Sequence, residues 1–250
     1  MPQSLPPLPP TPGVFVTGTD TDVGKSVIAA GLTAALRAAG RKAVYFKAVQ
    51  SGCPEEDGQL IATDARMAQA MAGLDEPLSL LTPVTLKLPL APAVAAAQAG
   101  VKVDLEVIAH AYRELASRAE FMVVEGAGGL YVPLVNTTFL VLDLARWLHL
   151  PVLVVARSGL GTINHTVMTV KTLEQAGLPV VGIILNQYPD PPNLAARTNP
   201  GIIEAICGRP ILAKVPVIPG LDGEAGRQAL VTALQPVVAH LLDPSTGIRL

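Results

Sequence analysis

Residues 14–30, VFVTGTDTDVGKSVIAA, leave little choice of local structure. Val14, Phe15 and Val16 make a β-branched and aromatic run that suits a buried strand. A turn rich in Gly, Thr and Asp follows, then Gly24-Lys25-Ser26 and an alanine-rich segment suited to a helix. Strand, loop and helix in that order put Gly24, Lys25 and Ser26 at a helix N-terminus. Unpaired N–H groups there attract an anion, and glycine lets a ligand approach the backbone. Lys25 is then placed for the β and γ phosphates of a nucleotide, and the Ser26 hydroxyl for Mg²⁺. The spacing departs from G-x-x-x-x-G-K-[ST] in one place: Thr19 fills the first glycine position and Gly18 lies one residue earlier. The stretch reads as a phosphate-binding loop.

The rest of the chain has the pattern that such a loop needs. Strand candidates at 13–17, 43–47, 121–125, 152–156, 180–186 and 211–215 are mostly continuous apolar runs, as expected of parallel strands covered on both faces. Helical patterns fill the gaps at 25–39, 105–117, 139–148, 164–175 and 224–242. Gly40 is placed to end the first of these helices, Asp104 to cap the second and Gly177 to end the fourth. The alternation predicts an α/β fold, a mostly parallel sheet with helices on both faces. The proline-rich break at 188–193 reads as a surface loop rather than a boundary. Half of the 250 residues are hydrophobic but only 4% are aromatic, so Ala, Val and Leu must do most of the packing. Residues 13–250 read as one domain. Residues 1–12 read as a proline-rich extended tail, passive rather than a PxxP ligand.

Composition excludes several classes of partner. A net charge of −2 gives no electrostatic footprint for nucleic acid or an anionic membrane. No apolar run reaches the length of a membrane span before Pro or Gly interrupts it. The N-terminus, MPQSLPPLPPTPG, has neither a basic nor a hydrophobic signal region. Cys53 and Cys207 stand apart with no C-x-x-C, so the reducing cytoplasm is the expected setting.

In parallel α/β sheets ligands bind beyond the carboxyl ends of the strands, which singles out Lys47, Glu125, Arg157, Ser158 and Asn186. Lys47 could balance the negative charge that builds during phosphoryl transfer, and Ser51, after a turn, could hydrogen-bond a polar substrate. Glu125 opens Glu125-Gly126-Ala127-Gly128-Gly129; a carboxylate there suits Mg²⁺, which prefers oxygen ligands. Ser26, Asp64 and Glu125, with nucleotide oxygens and water, make a candidate metal set, although an Asp near a helix start is also an ordinary cap. The Asn186 amide matches the hydrogen-bonding edge of adenine but equally suits a turn. Gly161, Thr162, Ile163 and Asn164 open a helix whose free N–H groups could hold a carboxylate. His165 could be a base or a structural hydrogen-bonding group, whereas His110, His149 and His240 read as structural. Asp20 and Asp22 would repel phosphate, which points to a co-substrate that carries amines.

These segments together resemble the dethiobiotin synthetase family. The likeness rests on residues 16–26 (VTGTDTDVGKS), 47–52 (KAVQSG), 124–129 (VEGAGG) and 160–165 (LGTINH), with Asn186 in order after them. It implies a nucleotide-binding fold of the phosphate-loop NTPase type across residues 13–250. It also implies an ATP- and Mg²⁺-dependent closure of the ureido ring of dethiobiotin from 7,8-diaminononanoate and CO₂. By analogy, Lys25 and Lys47 would stabilise the transferred phosphoryl group, with Thr21 and Ser51 near a carbamate. Asp22, Val23, Gly24, Lys25, Ser26 and Val27 would surround the phosphates beside Glu125, Gly126, Ala127 and Gly128. Ser26, Asp64 and Glu125 would hold Mg²⁺; Asn186, Gln187 and the backbone of Pro216, Val217 and Ile218 would hold adenine. The diamine would account for Asp20 and Asp22. The resemblance further implies a homodimer in which residues 161–164 serve the neighbouring subunit's substrate carboxylate. Ala48 stands where the family often has proline, Ser26 where it often has Thr, and Ala91-Pro92-Ala93 lacks a histidine common in that segment.

Two rival readings fit less well. A related amidoligase would need a glutaminase domain for which the chain has no room. A partitioning-type regulatory ATPase would carry a second lysine early in the phosphate loop, and residues 18–23 contain none.

Overall fold

A computed structural model describes residues 5–246. Six strands form the central sheet: β1 (Gly13–Gly18), β2 (Ala43–Lys47), β3 (Phe121–Glu125), β4 (Val152–Arg157), β5 (Val180–Tyr188) and β6 (Ile211–Pro216). Their order is β6-β5-β4-β1-β3-β2, and every pairing is parallel. The interior strands are buried along nearly their whole length, which is why they read as unbroken apolar runs. Eight principal helices connect them: α1 (Lys25–Ala38), α2 (Thr63–Ala72), α3 (Pro92–Gln98), α4 (Leu105–Ala116), α5 (Val141–Leu148), α6 (Thr162–Gln175), α7 (Leu194–Cys207) and α8 (Glu224–Leu242).

The predicted caps are present where they were expected. Asp104 accepts a hydrogen bond from the Glu106 N–H at 2.8 Å, and Gly40 and Gly177, at φ 80° and 76°, lie just past the ends of α1 and α6. Several boundaries differ from the sequence pattern by a residue or two. Helix α1 ends at Ala38 rather than 39, and α6 begins at Thr162 rather than 164 because Gly161, at φ 91°, breaks the chain just before it. Helix α5 begins at Val141, not 139, because Phe139–Leu140 pairs with Pro133–Asn136.

Three helices escaped the sequence pattern. Helices α2 and α3 are short and Ala-rich with few large apolar side chains, and α7 carries Pro200 within it. Core density comes from small residues as expected: a Cβ at Gly31 of α1 would sit 2.5 Å from Leu230 Cδ2, so glycine lets α8 lie directly on α1.

The proline-rich segment is not a passive extension. Pro6 is buried, and its carbonyl accepts a 2.8 Å hydrogen bond from the Trp147 indole on α5. The Pro7 carbonyl accepts one at 2.9 Å from Arg113 of α4, Leu8 packs on the core, and Pro12 bonds to Met122 as β1 begins.

Candidate active site

Strand register brings the site together. In the ladder, Glu125 of β3 has Val16 of β1 on one side and Lys47 of β2 on the other, so the lysine and the carboxylate are neighbours by construction. On the far side of β1, Arg157 of β4 is paired with Asn186 of β5. All of these lie at carboxyl ends, next to the loop that joins β1 to α1.

That loop is held from several directions. Gly24 has φ +89°, and a Cβ there would lie 2.0 Å from Asn186 Nδ2, so only glycine fits. Asp22 also adopts a left-handed backbone, φ 58°, as does Gln187 at φ 51°. The Asn186 amide donates to the Val23 carbonyl at 2.9 Å, Arg157 Nη2 donates to the Thr21 carbonyl at 3.2 Å, and Asp20 Oδ1 accepts from the Thr21 N–H at 2.7 Å. No side chain caps the start of α1, which leaves its first N–H groups facing the loop. Lys25 is buried and folds back to the Asp20 carbonyl at 2.7 Å. Burial lowers its pKa below the ordinary lysine value, the Glu125 charge pulls the other way, and nearby Lys47 adds to the depression.

Glu125 is the hub of a charged cluster. Only 1% exposed, it accepts from Ser26 Oγ at 2.7 Å and Lys47 Nζ at 2.6 Å through Oε1, and from Tyr45 Oη at 2.6 Å through Oε2. Lys47 Nζ also reaches Asp64 Oδ2. Burial disfavours the Lys47 ammonium, but Glu125 and Asp64 together outweigh it and hold its pKa above the usual lysine value. Asp64 stands in the first turn of α2, and Gln50 fixes it there. The Gln50 side chain accepts from the Asp64 N–H at 3.1 Å and donates to Thr63 Oγ1 at 2.7 Å. Tyr45 did not stand out in the sequence, and Gln50 did so only as part of the 47–52 segment; the available signal for Tyr45 was the strand period, which puts it on the Lys47 face.

Two cavities meet at Thr21. One of about 430 Å³ is walled by Asp22, Gly24, Lys25, Ser26, Val27, Lys47, Ser51, Asp64, Glu125, Ala127 and Gly128. The other, about 620 Å³ and mainly apolar, lies between Thr19–Thr21, the segment Gly129–Val132 and the exposed face of α6, including His165 and Met168. Val23 and Gly126 stand behind these walls: Val23 is fully buried, and a Cβ at Gly126 would meet the Phe15 ring at 3.0 Å.

Other candidates lie further out. Gly161, Thr162, Ile163 and Asn164 line neither cavity; Thr162 is spent on the Arg157 carbonyl and Ile163 packs on the core. Pro216 pairs with Tyr188 in the ladder, placing Val217, 73% exposed, and the partly buried Ile218 just beyond the end of β6. Of the histidines, His240 Nε2 lies 3.1 Å from the Val181 carbonyl and His110 stands beside Glu114 on α4. Cys53 and Cys207 are free and buried. Among the described residues no helix is long and apolar enough to cross a membrane.

The donor set suits a hard divalent cation. Glu125 is a buried carboxylate whose charge is balanced by Lys47 and hydroxyl donors, and Ser26 and Asp64 add oxygen atoms of the type Mg²⁺ prefers. Among the described residues no group of three or more His, Cys, Asp or Glu forms a self-sufficient metal cage. A cation held by Ser26, Asp64 and Glu125 would need nucleotide oxygens and water to complete its shell, as is usual for Mg²⁺.

A family model described as an AAA domain matches residues 12–225. Similar chains include an ATP-dependent dethiobiotin synthetase BioD from Clostridium kluyveri, 39% identical over 81% of this chain and 85% of the relative. Another so named, from Anaeromyxobacter dehalogenans, is 46% identical over 85% and 93%. Among solved structures, the septum site-determining protein MinD complexed with Mg-ADP from Pyrococcus horikoshii overlays with a TM-score of 0.53. At 19% identity, covering 94% of this chain and 97% of that one, it supports the fold alone. With a family match over most of the chain and relatives well above 30% identity at high coverage, the chain belongs to the ATP-dependent dethiobiotin synthetase family.

Proposed function

We propose that this chain is an ATP- and Mg²⁺-dependent cyclo-ligase of biotin biosynthesis, closing the ureido ring of dethiobiotin from 7,8-diaminononanoate and CO₂. The observation that carries the reading is the convergence of Lys25, Ser26, Lys47, Asp64 and Glu125 on one small cavity beside a glycine-lined helix N-terminus. One amine of the substrate adds to CO₂ and loses a proton, giving a carbamate. A carbamate oxygen attacks the γ phosphorus of ATP and ADP departs, leaving a carbamic–phosphoric anhydride. The second amine attacks the carbamoyl carbon, phosphate leaves, and the ring closes as that nitrogen loses its proton.

Each of these steps gives the chain's residues a part. Lys25 and the first N–H groups of α1 bind the β and γ phosphates. Lys47, released from Asp64 and Glu125, balances the charge of the transferring phosphoryl group. Bound to Ser26, Asp64 and Glu125, Mg²⁺ would supply electrostatic neutralisation of the phosphate oxygens. Thr21, shared by both cavities, and Ser51 orient the carbamate, while Asp20 and Asp22 favour an amine-bearing substrate. Asn186 and Gln187 with the backbone of Pro216, Val217 and Ile218 bind adenine, and Asp22, Val23, Val27, Gly126, Ala127 and Gly128 shape the phosphate side. Residues 161–164, which line neither cavity in one chain, are proposed to hold the substrate carboxylate of a neighbouring subunit in an isologous homodimer. The setting is the reducing cytoplasm, where Cys53 and Cys207 stay as thiols.

The test is phosphate release from Mg-ATP with 7,8-diaminononanoate and bicarbonate, each omitted in turn. Release that needs all three, with dethiobiotin found by mass analysis, is the expected result. Turnover of ATP without the diamine would overturn the substrate assignment and favour a regulatory ATPase.

A further inference from the structure

Tyr45 carries no sequence motif and lines neither cavity, yet its hydroxyl ends on the central carboxylate of the site. It lies on β2 two residues before Lys47, so both side chains leave the same face of the strand. Fully buried, it puts Oη 2.6 Å from Glu125 Oε2, while Ser26 and Lys47 both meet Oε1. The two oxygens of Glu125 are thereby made unequal. A carboxylate with both oxygens unpartnered can turn about its last torsion and offer either one, or both, to a cation. One whose Oε2 is held by a buried phenol presents Oε1 alone to the cavity.

We propose that Tyr45 is a positioning residue for the metal–phosphate centre: by engaging Glu125 Oε2, it fixes the carboxylate so that Glu125 serves a divalent cation through Oε1 only. This rests on the proposed reading in which Glu125 is a ligand. A partner that orients a ligating carboxylate typically contributes 10–100-fold to metal affinity, and Tyr45→Phe removes the donor with almost no change in shape.

The experiment measures Mn²⁺ binding to the full chain by electron paramagnetic resonance, with a non-hydrolysable ATP analogue present, in wild type, Tyr45→Phe and Glu125→Gln. The expected result is a rise in the Mn²⁺ dissociation constant of about tenfold or more for Tyr45→Phe. Its affinity for the analogue in metal-free buffer should stay within about twofold of wild type. A merely structural role would not divide the two affinities in this way. An unchanged Mn²⁺ constant in folded Tyr45→Phe overturns the proposal. Mn²⁺ binding that is indifferent to Glu125→Gln instead overturns the ligand assignment beneath it. If Tyr45→Phe does not fold, 4-aminophenylalanine at position 45 keeps the ring and supplies a weaker donor. A Mn²⁺ constant raised about threefold then supports the proposal, and an unchanged one overturns it.

Discussion

The side-chain amide of Asn186 donates to the Val23 carbonyl at 2.9 Å, so the end of β5 braces the phosphate-binding loop from two strands away. Asn186 therefore supports the bend of that loop, whatever part it has in the proposed adenine site. Asn186→Ala should weaken bare tripolyphosphate about fivefold, for one neutral hydrogen bond, and ATP by at least that factor. Calorimetric titration with both ligands checks this; a loss confined to ATP would make Asn186 a reader of the base alone.

Gly24 is constrained twice, by its left-handed backbone and by the Asn186 amide pressed against it. Gly24→Ala should cost about 1–2 kcal/mol for the backbone, with the side-chain clash in addition. In a double-mutant cycle with Asn186→Ala, the clash part should be recovered and the backbone part kept. Urea unfolding of the four proteins measures the coupling, whose predicted sign is favourable.

Lys47 neutralises a carboxylate that water hardly reaches. Removing one member of a buried ion pair strands the other, at a cost of about 3–5 kcal/mol. Lys47→Met should therefore lose about that much stability in metal-free buffer, and Lys47→Met/Glu125→Gln should regain most of it. Unfolding free energies measured with EDTA present provide the check.

Trp147 is the sole tryptophan, and its indole N–H is spent on Pro6. Deleting residues 2–9 should uncover it, shifting its emission to longer wavelength and lowering stability by about 2 kcal/mol. An unshifted spectrum would show that the segment does not cover the indole in solution.

Burial pushes the Tyr112 phenol up to about 12, above the ordinary 10. The folded protein then holds this proton more tightly than the unfolded chain. Its contribution is fully present below pH 10 and is lost as pH rises from about 10 to about 12. Over that interval wild type should lose stability relative to Tyr112→Phe, as measured by denaturant midpoints at successive pH values.

The sheet and the phosphate-binding loop were legible because their signals are local. Continuous apolar runs mark strands buried on two faces, and Gly24-Lys25-Ser26 after such a run marks a helix start. Helix α7 was not legible because Pro200 sits inside it, and α2 and α3 offer too few large apolar residues to show a period. Lys47 and Glu125 could be placed at strand ends, but their direct contact depends on β2 pairing with β3, a relation between segments far apart in the chain. Tyr45 acts through such neighbours and so left no mark of its own, and the part of Gln50 in holding Asp64 was equally hidden within its segment. The tail was misread for a related reason: its proline-rich composition signals extension, while the donors that hold it, Arg113 and Trp147, come from distant helices.

The position of β1 within the sheet divides the work of the molecule. Lys47 and Glu125 hang from the two strands on one flank, whereas Asn186, Gln187 and the turn after β6 belong to the three on the other. Within the sheet the flanks are joined through β1. On the proposed adenine site, exchanging the segments that follow β5 and β6 for those of other family members should alter nucleotide preference. The phosphoryl-handling flank would keep its arrangement through such a graft, provided that Asn186 and its hold on Val23 are carried along.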